Sequence, residues 1–200
     1  MEQEKINQVV AFHGHLCPGL AIGIRVAELA LNELGITAKD EELVAVVEND
    51  NCSVDAIQFL TGCTFGKGNF IFLDFGKNAF SFYRRSDNNA IRIAVKKDAG
   101  KLHQPEYQKL IDKKQNGSLT EKEAQRLDDY HQQRLNLILN APLEELLNLQ
   151  QIDGNPPERA RIYESLQCAG CGEYTMETRM RRINGEWYCL PCYHERERFF

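Results

Sequence analysis

The residues of this 200-residue chain with the most chemistry to offer are its seven cysteines and five histidines, and they are concentrated in two places. Four cysteines form two CxxC pairs near the C-terminus, CAGC with Cys168 and Cys171, and CLPC with Cys189 and Cys192. Thiolates in that arrangement close a tetrahedral shell around Zn(II), and a closed shell is structural rather than reactive. The other concentration is N-terminal: His13, His15 and Cys17 crowd the loop HGHLCPG just ahead of a helix, and Cys52 takes the matching place ahead of another. Helix N-termini favour anions, so both thiols sit where a thiolate is stabilised, which suits metal ligation or nucleophilic attack. The HxC spacing of His15 and Cys17 lets one loop present an imidazole and a thiolate to one ion. Were the fold to bring Cys52 to the same spot, three ligands would leave a position open to a reactant. The plainer reading stands beside it, since a free cysteine is often a small buried residue and a loop histidine often a hydrogen-bonding group.

Asp50, Asp55 and Gln58 flank Cys52 and are candidates to orient ligands or exchange protons, with Asp50, Cys17 and Cys52 the candidate catalytic groups. Asp55 also has an ordinary role open to it, as an acid in the first turn of a helix. Cys63 reads first as packing, and whether it or His13 joins the core site is left open by spacing. GCTFGKG at 62–68 has one residue too few for a phosphate loop and Gly68 where a magnesium-binding Ser or Thr belongs, so ATP binding is rejected. Lys67 between two glycines remains a candidate for an anionic ligand.

The elements that must position these groups are legible in the periodicity. A short helix covers residues 2–12, and Pro18 suits the first turn of a second helix that runs to Leu34 and is closed by Gly35. LVAVV at 43–47 reads as an interior strand delivering the chain to Cys52, after which a helix from Ser53 ends at Gly62. NFIFLDF (69–75), AFSFYR (79–84) and AIRIAV (90–95) are separated by turn residues and read as an antiparallel meander. Helices follow from Gln104 to Gln115 and from Thr120, which makes a capping box with Glu123, to about Asn140. LLNLQQI (146–152) fits either a helical turn or a strand returning to the sheet.

Asp153-Gly154-Asn155-Pro156-Pro157 opens a linker, so the expected organisation is an α+β core over 1–152, a linker over 153–165 and a zinc module over 166–200. The core is an antiparallel sheet with packed helices. In the module, Asn184-Gly185 suits a tight hairpin turn, giving the order knuckle, hairpin, second knuckle, helix that defines a treble clef. A segment of about 35 residues buries too little surface to stand alone, so the metal supplies its folding free energy.

Composition narrows the function. With 42% apolar and 26% charged residues the chain is ordinary globular protein, and a formal charge of −5 gives no global reason for nucleic acid or an anionic membrane as partner. The module itself carries Arg179, Arg181 and Arg182 balanced by glutamates, which is poor for DNA binding. Neither an export signal nor an apolar stretch of roughly 18 residues is evident, so a cytoplasmic location with reduced cysteines is expected.

FHGHLCPGLAIGIR (12–25), NDNCSVDAIQFLTGCTFGKGN (49–69) and the FGKNAFSF hairpin together resemble the FmdE family, the E-type component of formylmethanofuran dehydrogenase, over roughly residues 8–165. The tail, CAGC through CLPC, resembles a treble-clef, DnaK-suppressor-like zinc finger. The resemblance implies an α+β core forming an intertwined homodimer, with a metal-bearing cavity whose ligands are His15, Cys17 and Cys52. It implies zinc or another soft divalent transition metal there, structural zinc in the tail, and a link to molybdenum- or tungsten-dependent oxidoreduction as an enzyme or accessory component of a larger oxidoreductase complex. A small molecule at the core metal is the expected substrate or ligand. The alternative is a regulatory or adaptor protein whose finger docks on a macromolecule while the core senses a metal or ligand.

Overall fold

A computed structural model describes residues 1–35 and 42–197. Positions 198–200, the end of the expected 166–200 module, lie outside the described residues. The chain divides into two compact units, Met1–Arg159 and Ala160–Phe200.

In the first unit the helices are α1 (Gln3–His13), α2 (Pro18–Leu34), α3 (Ser53–Thr61), α4 (Pro105–Gln115), α5 (Glu121–Asn140) and α6 (Leu143–Leu146). The strands are β1 (Leu43–Val47), β2 (Phe70–Phe72), β3 (Ala79–Arg84), β4 (Asn89–Val95) and β5 (Leu147–Gln151), in one sheet of order β2-β1-β3-β4-β5. Every pairing is antiparallel except β1 with β2. The expected three-strand meander is corrected in one place: β3 and β4 form the hairpin, but β2 lies across β1 from them, parallel to it. The reason is the crossover through α3, which returns the chain to the start of β1. There Asn69 donates its amide to the Leu43 carbonyl at 2.9 Å and accepts from the Thr64 N–H at 3.0 Å, fixing the register. Flanked on both edges, all five residues of β1 are buried, as a continuous β-branched run requires. LLNLQQI resolves as the last residue of α6 followed by edge strand β5.

The core joins one face of the sheet to α2 and α5. Ala21, Val26, Ala30 and Leu34 of α2 pack with Phe80, Phe82, Ile91 and Ile93 of the sheet and with Leu135 and Ile138 of α5. Each fully buried large side chain here contributes about 1.5–3 kcal/mol of transfer free energy. The capping box forms, Thr120 and Glu123 each bonding the other's backbone. Among the described residues no helix is long and apolar enough to cross a membrane.

The second unit contains β6 (Ser165–Gln167) paired with β7 (Tyr174–Met176), β8 (Met180–Ile183) paired with β9 (Glu186–Cys189), and α7 (Leu190–Glu197). Asn184 and Gly185 adopt φ of 50° and 92°, so the β8–β9 turn uses the two residue types that tolerate it.

Candidate metal centres

Two groups of ligand atoms converge among the described residues: Cys168, Cys171, Cys189 and Cys192 in the second unit, and His13, Cys17 and Cys52 in the first.

The tail group is assembled by two hairpins and a helix. The β6–β7 turn wraps Cys168 and Cys171 into a knuckle, with Cys168 N–H donating to Glu173 O at 2.9 Å and Gly172 turning back at φ 77°. Ala169 N–H bonds Trp187 O at 2.8 Å, which docks this knuckle on β9, where Cys189 ends the strand and Cys192 lies in α7. Gly170 has to be glycine, because a Cβ there would stand 2.9 Å from Cys192 Sγ. Backbone N–H groups of Cys171, Cys189 and Gly170 surround Cys168 and lower its thiol to about 6. Its neighbours respond in the opposite sense: Cys192 is pushed up by the thiols of Cys189, Cys168 and Cys171. Four thiolates this close are tolerated only around a cation, the condition a divalent ion meets. The only other core is small, Met180 and Tyr188 beside Cys168 and Cys189, so folding of the module depends on the metal.

The first-unit group depends on two helices approaching closely at their N-terminal ends. Cys17 is the N-cap of α2 and accepts from Leu20 N–H at 3.4 Å, while Cys52 is the N-cap of α3. Gly19 and Gly23, one turn apart, let α3 lie against α2: a Cβ at Gly19 would be 3.2 Å from Cys52 Cβ and 3.8 Å from Cys17 Sγ, and one at Gly23 would be 2.3 Å from Ser53 O. The loop entering α3 is held by asparagines, each spending its amide on the backbone or on another amide. Asn51 Oδ1 accepts from Ser53 N–H at 2.9 Å and Ser53 Oγ at 2.6 Å, Asn51 Nδ2 donates to Asn78 Oδ1 at 2.9 Å, and Asn49 Nδ2 donates to Lys77 O at 2.8 Å. Preceding them, buried Glu48 pairs with Arg92, its second oxygen accepting at 2.9 Å, and this guanidinium lowers the Glu48 carboxyl. The strand-to-helix turn that presents Cys52 is therefore rigid.

The imidazole in this group belongs to His13, while His15, expected as the ligand from the HxC spacing, lies outside it with its ring tilted against that of His13 at 4.7 Å between centroids. Two features place His13. It is the last residue of α1, where Gly14 at φ 98° ends the helix, and its Nδ1 is 2.7 Å from Asp55 Oδ2 on α3. A carboxylate there holds the Nδ1–H tautomer and leaves Nε2 with its lone pair. Nε2 is buried without a hydrogen-bond partner. Local spacing points to His15; the pairing of His13 with the acid at position 55 was the signal available for the other residue. The ligand atoms of His13, Cys17 and Cys52 all lie within 4.8 Å of one another, and burial together with the Cys17 thiol raises the Cys52 thiol. Ligands gathered on one zinc ion stand ~3.5 Å apart, so a small contraction completes the shell.

Asp50 is exposed and, with His13, Cys52, Asn49, Asp55 and Gln58, lines a cavity of about 450 Å³ whose apolar wall is Phe65, Phe70 and Phe72. Cys17 instead lines a separate cleft with His15. Cys63 is away from both: buried, donating to Leu43 O at 3.3 Å and raised to about 11 by burial, it is a packing residue.

Comparison with known proteins accords with these two centres. Residues 12–148 match the family described as FmdE, molybdenum formylmethanofuran dehydrogenase operon, and residues 161–198 match the prokaryotic dksA/traR C4-type zinc finger. A protein of Archaeoglobus fulgidus described as a probable S-adenosyl-L-methionine-binding protein is 35% identical over 190 residues, 90% of this chain and 50% of that protein. The chain thus spans about half the length of this curated relative. The crystal structure of a tungsten formylmethanofuran dehydrogenase FmdE-like protein from Syntrophus aciditrophicus shares the fold, with a TM-score of 0.61 and 23% identity, covering 96% of this chain and 92% of that one. The convergent tail thiols are those of a zinc finger, and the chain as a whole is a metal-binding protein that belongs to the FmdE family.

Proposed function

We propose that the first unit binds a soft divalent transition metal, zinc in the simplest case, through His13 Nε2, Cys17 Sγ and Cys52 Sγ, and that the protein acts there as a metal-dependent enzyme or accessory component associated with oxidoreduction. The observation that carries the reading is the buried, unpartnered Nε2 of His13, held toward ligation by Asp55 and grouped with two helix-capping thiols. Three protein ligands leave one position for water or substrate, and a metal there polarises what binds. The chain's own contribution is positional. Asp55 sets the histidine tautomer, the asparagine-braced loop fixes Cys52, and Asp50 in the cavity wall is placed to exchange a proton with a bound molecule.

The aromatic wall of Phe65, Phe70 and Phe72 with Asp50 opposite suits a small organic ligand carrying positive charge, and the sulfonium named for the Archaeoglobus relative is of that class. Phe12 and Phe59 stack at 5.5 Å between ring centroids, and Phe65 and Phe75 are 78% and 59% exposed, which supports a homodimer or a larger assembly covering this face.

Metal analysis of the purified chain tests the reading. The wild type should hold about two zinc ions and Cys17→Ala about one, the finger's; equal content in the two proteins would remove the core site. An adaptor role for the finger is the second reading, supported by Arg179 and Arg181, which are exposed and make no ion pair among the described residues. Loss of partner capture in an Arg179→Ala, Arg181→Ala variant with its zinc intact is the outcome that reading requires.

A further inference from the structure

One cavity of the first unit takes no part in the proposed metal chemistry. It has a volume of about 240 Å³, lies at the start of α2 and α3, and is lined by Lys96, Lys97, Lys101 and Arg134 together with Pro18 and Gly19. No carboxylate lines it, in a chain whose formal charge is −5. The protein neutralises this cluster only in part. Lys101 pairs with Asp98 at 2.7 Å, and the Asp98 carboxyl is lowered first by Lys101 and then by Lys97. Lys96 donates to the carbonyl of Glu144, and Arg134 Nε to the carbonyl of Gly100 at 3.0 Å, both uncharged acceptors. Those carbonyl bonds hold the two half-buried cations in place while leaving their charge uncompensated. An arginine tied through Nε keeps its two terminal amino groups free as a fork for an oxyanion.

Pro18 and Arg134 also wall a neighbouring cleft of about 840 Å³. Its other sides are Leu16, Cys17, Tyr107, Ile111, Leu127 and Leu135, so it is apolar along much of its length. A cationic pocket sharing walls with an apolar cleft matches a molecule with one strongly anionic end and an organic body.

We propose that the two spaces form a binding site for a small phosphomonoester, its phosphate on Lys96, Lys97, Lys101 and Arg134 and its body in the cleft beside Cys17. A phosphate suits the pocket better than a carboxylate. Four cations set against the single Asp98 carboxylate call for a dianion, and three terminal oxygens can engage more of these donors than two. Nucleic acid is a poor match, because the cations lie in a small concavity rather than along an extended stripe. The proposal needs no metal at His13, Cys17 and Cys52, and it stands or falls apart from that site.

The test is a titration of the 15N-labelled full chain, zinc-loaded, with inorganic phosphate, then phenyl phosphate, then acetate, followed by amide shifts. The expected result is saturable displacement of Gly19, Lys97 and Ala99 by phosphate, extension to Tyr107 and Ile111 with tighter binding of phenyl phosphate, and acetate weaker by about tenfold. Lys97 and Lys101 are exposed, so a Lys97→Ala, Lys101→Ala variant keeps its fold, which its unshifted core amides verify. It should lose about tenfold in affinity for both phosphates. Shifts that never saturate, affinity unchanged in the double variant, or acetate binding as tightly as phosphate would each overturn the assignment. So would phenyl phosphate shifts confined to Phe65 and Phe72 in the other cavity.

Discussion

Replacing Gly23 with alanine tests the contact that brings Cys17 and Cys52 together. The added Cβ would stand 2.3 Å from Ser53 O, 2.6 Å from Ser53 Cα and 2.8 Å from Ser53 C, where ordinary contact begins at 3.4 Å. All three are backbone atoms, so no side chain can swing aside and α3 has to retreat from α2 by about 1 Å, an overpacking cost of ~1–3 kcal/mol with this site at the upper end. Alanine returns about 1 kcal/mol of helix propensity, leaving a net loss of about 2 kcal/mol. The displacement also exceeds the tolerance of a coordination shell, about 0.2 Å in ligand distance, so the first-unit metal should be lost while the tail zinc stays. Urea unfolding followed by far-ultraviolet circular dichroism is the assay for the helices, because the single tryptophan, Trp187, reports on the finger. Gly66→Ala is the control, as nothing lies within 4 Å of its Cβ position. If Gly23→Ala unfolds at the wild-type urea concentration and keeps the wild-type metal content, the reasoning about helix approach is refuted.

Asp55→Ala should weaken first-unit metal affinity about 10–100-fold in a chelator competition by freeing the His13 ring, with little change in stability; unchanged affinity would deny Asp55 its orienting role. Glu48 has its folded-state pKa lowered by Arg92, so the pair stabilises the fold above the ordinary carboxylate range and that contribution fades as pH falls through it toward the lower folded value. Glu48→Gln should cost on the order of 2 kcal/mol near neutral pH and flatten the acid limb of a stability-versus-pH curve; an acid limb identical to wild type would count against the pair. Cys189→Ala should remove metal-linked folding free energy of about 10 kcal/mol from the second unit. Trp187 emission should then match the unfolded chain while the helical signal of the first unit persists, and native-like emission would show that the finger folds without its full thiol set.

Most of the local structure was legible because its causes are local. Pro18 at the start of α2, glycines 35 and 62 at left-handed caps, the Thr120–Glu123 box and the Asn184-Gly185 turn each act within a few residues. The thiol spacing of the tail is likewise self-contained. Features set by distant partners were not legible. The three-residue β2 carries nothing that distinguishes pairing with β3 from pairing with β1, and Asn69 reaching back to Leu43 decides it. The same holds for His13 against His15: spacing favours the histidine two residues from Cys17, and only the approach of α3, bringing Asp55, selects the other. The cationic pocket joins residues from α2, α3, the segment after β4 and α5, so no stretch of the chain announces it.

The central claim is that His13, Cys17 and Cys52 hold one ion. Diffraction from crystals of the zinc-loaded chain, recorded just above and just below the zinc absorption edge, tests it most directly. The account predicts two anomalous peaks per chain, one among the four tail cysteines and one bonded to His13 Nε2, Cys17 Sγ and Cys52 Sγ. A peak at the tail with none at the first-unit group, at full zinc occupancy of the finger, would contradict it.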